Sequence, residues 1–160
     1  MVKNLDRITI ILAGVLALSL LVSLLLFLLH GTDMQKQVLF FPEYRSSECS
    51  GEQRLLPTKP STEQEIELLV REILLGPFEV NNVPLLPQES SIRTIMLRDY
   101  RLFIDFSIDV VFQAAEARLS FQEALNCVKK SITFNYPKIE QIVFTVNGEQ
   151  PEFDETESGK

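Results

Sequence analysis

An uninterrupted apolar run near the amino end limits what this chain can be before any other residue is considered. From Ile8 to Leu29 it reads ITIILAGVLALSLLVSLLLFLL, with no charge and only Thr9, Gly14, Ser19 and Ser23 departing from strongly apolar residues. At about 1.5 Å of rise per residue a helix over this run reaches about 33 Å, enough to cross a hydrocarbon core of about 30 Å. Lys3 and Arg7 precede it, while Gly31, Thr32 and Asp33 follow. Positive charge stays on the cytoplasmic side, so residues 1–7 are expected in the cytoplasm, 8–29 as a transmembrane helix, and the remainder outside. A cleaved signal peptide fits less well, because its apolar core is shorter and the stretch LLHGTDMQ has no small-x-small cleavage pattern.

A chain of 160 residues leaves room for one further small domain. Residues 30–36 read as a polar stalk. QVLFFPEY, from Gln37, is rich in strand formers, with Pro42 at an edge or an exit. The polar stretch from Arg45 to Pro60 reads as a loop. Ser61 or Thr62 then opens a helix whose apolar face is Ile66, Leu69, Val70, Ile73 and Leu74. Gly76 can adopt the left-handed conformation that closes it, and Pro77 has no amide hydrogen to continue it.

A Pro-studded loop follows, in which Val83, Leu85 and Leu86 are expected to pack inward. SIRTIMLR and RLFIDFS alternate as a hairpin around Asp99-Tyr100. Ser120, with Glu123 as its capping-box partner, opens a second helix with Phe121, Ala124, Leu125, Val128 and Ile132 on its inner stripe. IEQIVFTV is a last strand ending at the turn dipeptide Asn147-Gly148. Residues 150–160 are acidic and expected to be disordered. The order β-α-β-β-α-β predicts an α+β domain over 37–149 with both helices on one face of a small sheet.

The net charge of −7, with no basic run after the anchor, argues against a nucleic-acid partner. Cys49 and Cys127 fall in the exported part, where oxidation permits one disulfide. Without framework spacing the plainer reading is two unpaired residues, Cys127 beside an apolar stripe and Cys49 in a loop.

Taken in order, QVLFFPEY, QRLLP, ELLVREILLGP, LLPQESSIRTIMLRDYRLFIDFS and EALNCVKKSITFNYPKIEQIVFTVNG resemble the GerMN domain, named from a spore-germination and sporulation protein. The resemblance covers about Gln37 to Glu149. Its most specific pieces are the helix-terminal L-x-G-P, the strand ending in D-F-S and the closing V-x-F-x-V-x-G. It implies a fold similar to the ring-building modules of secretion-system rings. It also implies an extracytoplasmic role in assembly, sporulation-like or in another envelope complex, without catalysis, cofactor or metal. The partners implied are membrane or envelope proteins, self-association included. In that light Gly76, Pro77, Asp105, Phe106, Ser107 and Gly148 are structural signature residues. The chain departs from the pattern by carrying one copy on a transmembrane anchor and by reading LPQES where the family commonly has Pro-x-Gly-Thr.

Candidate chemistry is sparse. Asp105 and Asp109 are the one pair of carboxylates that could suggest a hydrolase, and solvated or capping roles explain them as well. His30, the sole histidine, has no companions for catalysis or metal binding and reads as an interfacial flank. The expected contact surface is the 77–91 loop with Arg93, Arg98 and Arg101, which gather positive charge in an acidic domain. The alternative is a ligand-sensing module using the same loop and hairpin.

Overall fold

The computed structural model describes residues 7–29, 33–45, 48–87, 89–111 and 120–151. His30 and most of the acidic tail lie outside these residues. The chain divides into two units, Met1–Asp33 and Met34–Lys160. In the first, α1 (Arg7–Leu29) is long and apolar enough to cross a membrane. Its described apolar side chains, Ile8 and Phe27 among them, are exposed.

In the second unit β1 (Met34–Pro42) starts at Met34 and takes in three residues expected as stalk. Gln37, Leu39 and Phe41 face inward along it. The stretch expected as a loop is largely a strand, β2 (Cys49–Pro57), antiparallel to β1 from Met34↔Pro57 to Pro42↔Cys49. The reason it does not read as one is its inward face. Glu52, Arg54 and Leu56 are the buried positions, so two of three inward side chains are charged and the apolar alternation is broken.

Helix α2 (Thr62–Leu74) starts at Ser61, whose side chain accepts from Gln64 N, and buries Ile66, Leu69, Val70 and Ile73. The hairpin forms as its alternation requires, with β3 (Ile92–Arg98) antiparallel to β4 (Arg101–Phe106). A short 3-10 turn over Ile108–Val110 follows, then α3 (Phe121–Asn135), which has the full Ser120–Glu123 capping box. The last strand, β5 (Gln141–Val146), lies parallel to β4. The architecture is α+β with two sheets, β1-β2 and β3-β4-β5, where a single sheet was expected.

One apolar core joins the two sheets and the two helices. Leu39, Phe41, Ile66, Leu69, Leu102, Ile104, Phe106, Val128 and Ile132 are among its fully buried members, and Leu85 and Leu86 join it from the 75–91 segment. Cys49 and Cys127 are joined in a disulfide, with their Cα atoms 6.2 Å apart, tying the start of β2 to α3 in place of two free thiols.

Helix α3 also covers the outer edge of β1 with polar side chains. Val38 N donates to Asn135 Oδ1 at 3.0 Å, Asn135 Nδ2 donates to Val38 O at 2.7 Å, and Phe40 N donates to Ser131 Oγ at 2.9 Å. Leu97 N on β3 is met in the same way by Glu63 Oε2 of α2, at 2.7 Å.

Candidate functional site

The Gly-Pro stop after α2 is built on a buried ionic cluster. Gly76 has φ +90 and closes the helix in the left-handed region expected of it. Arg54, 5 % exposed, reaches the carbonyls that α2 leaves unpaired, donating to Glu72 O at 3.1 Å and Gly76 O at 2.6 Å. Its guanidinium also pairs with Glu52 at 2.7 Å and Glu72 at 3.1 Å, and lies 3.8 Å from the Phe78 ring centroid.

Glu52 completes the cluster by accepting from Phe78 N at 3.0 Å and Glu79 N at 3.2 Å. Burial pushes its carboxyl up, but Arg54 and the two N–H donors outweigh burial and leave it below the ordinary carboxylate value. The cluster thus fixes a loop that presents Leu75, Phe78 and Val80 to solvent, Val80 being 97 % exposed.

The expected contact surface divides in two. The start of the 77–91 loop packs along the first sheet, through Tyr44 N to Asn81 O at 2.7 Å and Val83 N to Pro42 O at 3.0 Å. The three arginines stand on the second sheet, all on its solvent face. Strict alternation would put Arg93 opposite in sense to Arg98, but a bulge between Ile92 and Thr94 resets the register. Arg93 then pairs with Asp105 at 3.0 Å.

On that face Arg98 lies directly across from Arg101, and Met96 across from Phe103, which in turn neighbours Val143 on β5. Met96 and Phe103 are 38 % and 40 % exposed. The face is therefore an apolar centre with arginines at one end. Sequence reading named the arginines and missed this centre, although the hairpin register contains it.

Asp105 is occupied by structure. It accepts from Thr145 Oγ1 and Gly148 N, each at 2.8 Å, besides Arg93. Burial pushes its carboxyl up, yet these donors and the Arg93 charge hold it below the ordinary value. A carboxylate held by three donors in this way is kept ionised and serves the strand junction. The other signature residues belong to the same junction. Phe106 is fully buried and stacks on Phe144 at 6.2 Å, Ser107 N donates to Ser91 O at 2.8 Å, and Gly148 takes φ +87 in the turn after β5. No group of acids, histidines and cysteines able to hold a metal ion occurs among the described residues.

Comparison with known proteins agrees with this architecture. A family described as "Sporulation and spore germination", Germane, matches residues 38–152. The first GerMN domain of the sporulation protein GerM from Bacillus subtilis has a similar fold, with a TM-score of 0.54 and 19% identity over 75% of this chain and 86% of that one. The tandem GerMN domains of GerM give a TM-score of 0.52 and 16% identity over 74% of this chain, which covers 40% of that structure. Among the curated proteins no match is found. At such identities the likeness to solved structures shows the fold alone. With the family match running from β1 past the turn that closes β5, the chain belongs to the Germane family of sporulation and spore-germination domains.

Proposed function

We propose that this chain is a non-enzymatic, single-pass membrane protein whose domain, outside the bacterial cytoplasmic membrane, docks another envelope or membrane protein through the open face of β3-β4-β5. The observation that carries this reading is the cross-strand pair Arg98 and Arg101. Like charges placed directly opposite each other are destabilising. Neither arginine has an ion-pair partner among the described residues, and both flank exposed Met96 and Phe103.

An acidic protein surface with an apolar centre would relieve the repulsion and cover the exposed side chains at once. The family's description supports a place in sporulation or spore germination, and α1 is long and apolar enough to be the anchor.

The test is in-cell crosslinking of the full-length protein at native expression, followed by mass spectrometry. Reproducible envelope partners that vanish in the Arg98→Glu, Arg101→Glu double variant are the expected result. Recovery of the lone monomer would count against the proposal.

A further inference from the structure

A groove of about 590 Å³ opens between the start of α2, the β3–β4 turn and the segment after α3, well within the size range of binding pockets. Its walls are mainly apolar, formed by Leu97, Pro137, Ile139 and the rings of Tyr100 and Tyr136. Two of the polar side chains that line it are already bonded within the domain. Asn135 is consumed by Val38 and Ser131, and Tyr136 Oη accepts from Gln37 Nε2 at 2.6 Å. Gln37 is itself 3 % exposed, and its Oε1 has no partner.

At the rim stand two carboxylates, Glu65 and Asp99. Neither Glu65 nor Asp99 has an ion-pair partner among the described residues, and Glu65 only accepts from Lys59 N at 3.4 Å. The turn that presents Tyr100 is costly. Asp99 has φ 46 and Tyr100 φ 60, positions that Asn-Gly fills cheaply in a two-residue hairpin. The Tyr100 carbonyl is held by Glu140 N at 2.9 Å, and its side chain remains 59 % exposed.

We infer that this groove binds a lysine or arginine side chain of a partner polypeptide, its aliphatic stem along Leu97, Pro137 and Ile139 and its cationic head between the tyrosine rings and the Glu65 and Asp99 carboxylates. Charge complementarity selects the occupant. Apolar walls with an acidic, aromatic rim suit a long stem ending in a positive charge. A glycan needs a dense set of free hydrogen-bonding groups, whereas the Asn135 amide and the Tyr136 hydroxyl that line the groove are already bonded within the domain. Lys138 stands on the same rim and opposes the cation. This inference rests on the interaction reading above, since it names a side-chain class on the partner, but it uses a different surface from the arginine face.

The test uses the full-length protein in nanodiscs of neutral lipid, with its three tyrosines observed by NMR. The probes are the blocked peptide acetyl-Ala-Arg-Ala-amide and its neutral citrulline counterpart. The arginine peptide should shift Tyr100 and Tyr136 saturably and leave Tyr44 unmoved. Citrulline, or the Glu65→Gln, Asp99→Asn double variant, should weaken it by about tenfold, as expected on losing charge-assisted contacts. Lys138→Gln should tighten it.

Tyr100→Gly gives a fold-independent check, since glycine relieves the turn. That variant should melt higher yet bind more weakly. Equal shifts with the citrulline peptide, or no shift with either, would overturn the inference. So would a chito-oligosaccharide that moves these tyrosines where the arginine peptide does not. Arg98→Glu, Arg101→Glu, which flank the Asp99-Tyr100 turn, should retain or tighten the peptide shifts while abolishing crosslinks, so the two readings fail separately.

Discussion

Glu52 and Arg54 sit two residues apart on the inward face of one strand, and their charged groups meet at 2.7 Å in the interior. Both are nearly fully buried, so each is the other's principal compensation. Arg54→Met leaves a buried carboxylate facing only N–H donors and strands the carbonyls of Glu72 and Gly76. We expect a loss of about 3–5 kcal/mol, read by urea unfolding followed by tyrosine fluorescence. The double variant Glu52→Gln, Arg54→Met should lose less, because no lone charge remains.

Acid should destabilise the domain through the same groups. Glu52 and Asp105 both have folded-state carboxyls below their ordinary values of 4.5 and 3.8. Each therefore contributes stability that is present above its unfolded value and is lost as pH falls through the lower folded one. Thermal melting across the acid range should show a falling midpoint beginning near these unfolded values. Glu52→Gln should flatten part of the fall.

Alkali should act through Tyr136. Burial raises its phenol to about 12, the Gln37 hydrogen bond works against that rise, and the Glu65 charge adds to it. Its stabilising share is whole below the unfolded value of 10.0 and declines as pH climbs through the folded one. Tyr136→Phe should remove that alkaline decline in the melting midpoint.

Reduction should be costly as well. The Cys49–Cys127 bridge closes a separation of 78 residues, for which the chain-entropy relation gives about 4.5 kcal/mol. Intact mass under non-reducing conditions should be about two protons lighter than after reduction. The Cys127→Ser variant should unfold at lower urea.

Relieving the arginine pair should strengthen the fold while weakening its use. Arg98→Glu replaces a like-charge cross-strand pair by an opposite one and should gain about 0.5 kcal/mol. The same variant should lose its envelope crosslinks.

Much of this architecture is legible in the residues. The caps at Ser61 and Ser120, the left-handed stop at Gly76 and the Asp99-Tyr100 hairpin follow from local chemistry, and all appear as expected. What stayed hidden depends on tertiary partners. Strand β2 carries charge on its inner face because Arg54 finds carbonyl and carboxylate partners from α2, a contact no local pattern encodes. The position of Arg93 turns on a bulge, and that of Cys49 on a helix far along the chain. The arginines are visible as a cluster, and the apolar centre they border follows from the β3-β4 pairing that sets Met96 across from Phe103, with only Val143 needing the register of β4 against β5.

The side chains that α3 lays along β1 have a further consequence for how such a domain can meet other chains. Asn135 and Ser131 occupy the main-chain donors and acceptor of Val38 and Phe40 that an incoming strand would need, and Glu63 does the same at Leu97. An extended segment cannot be annexed at these positions without first prising a helix away. The domain is thus guarded against strand donation and fibre-like stacking along β1 and at Leu97 of β3.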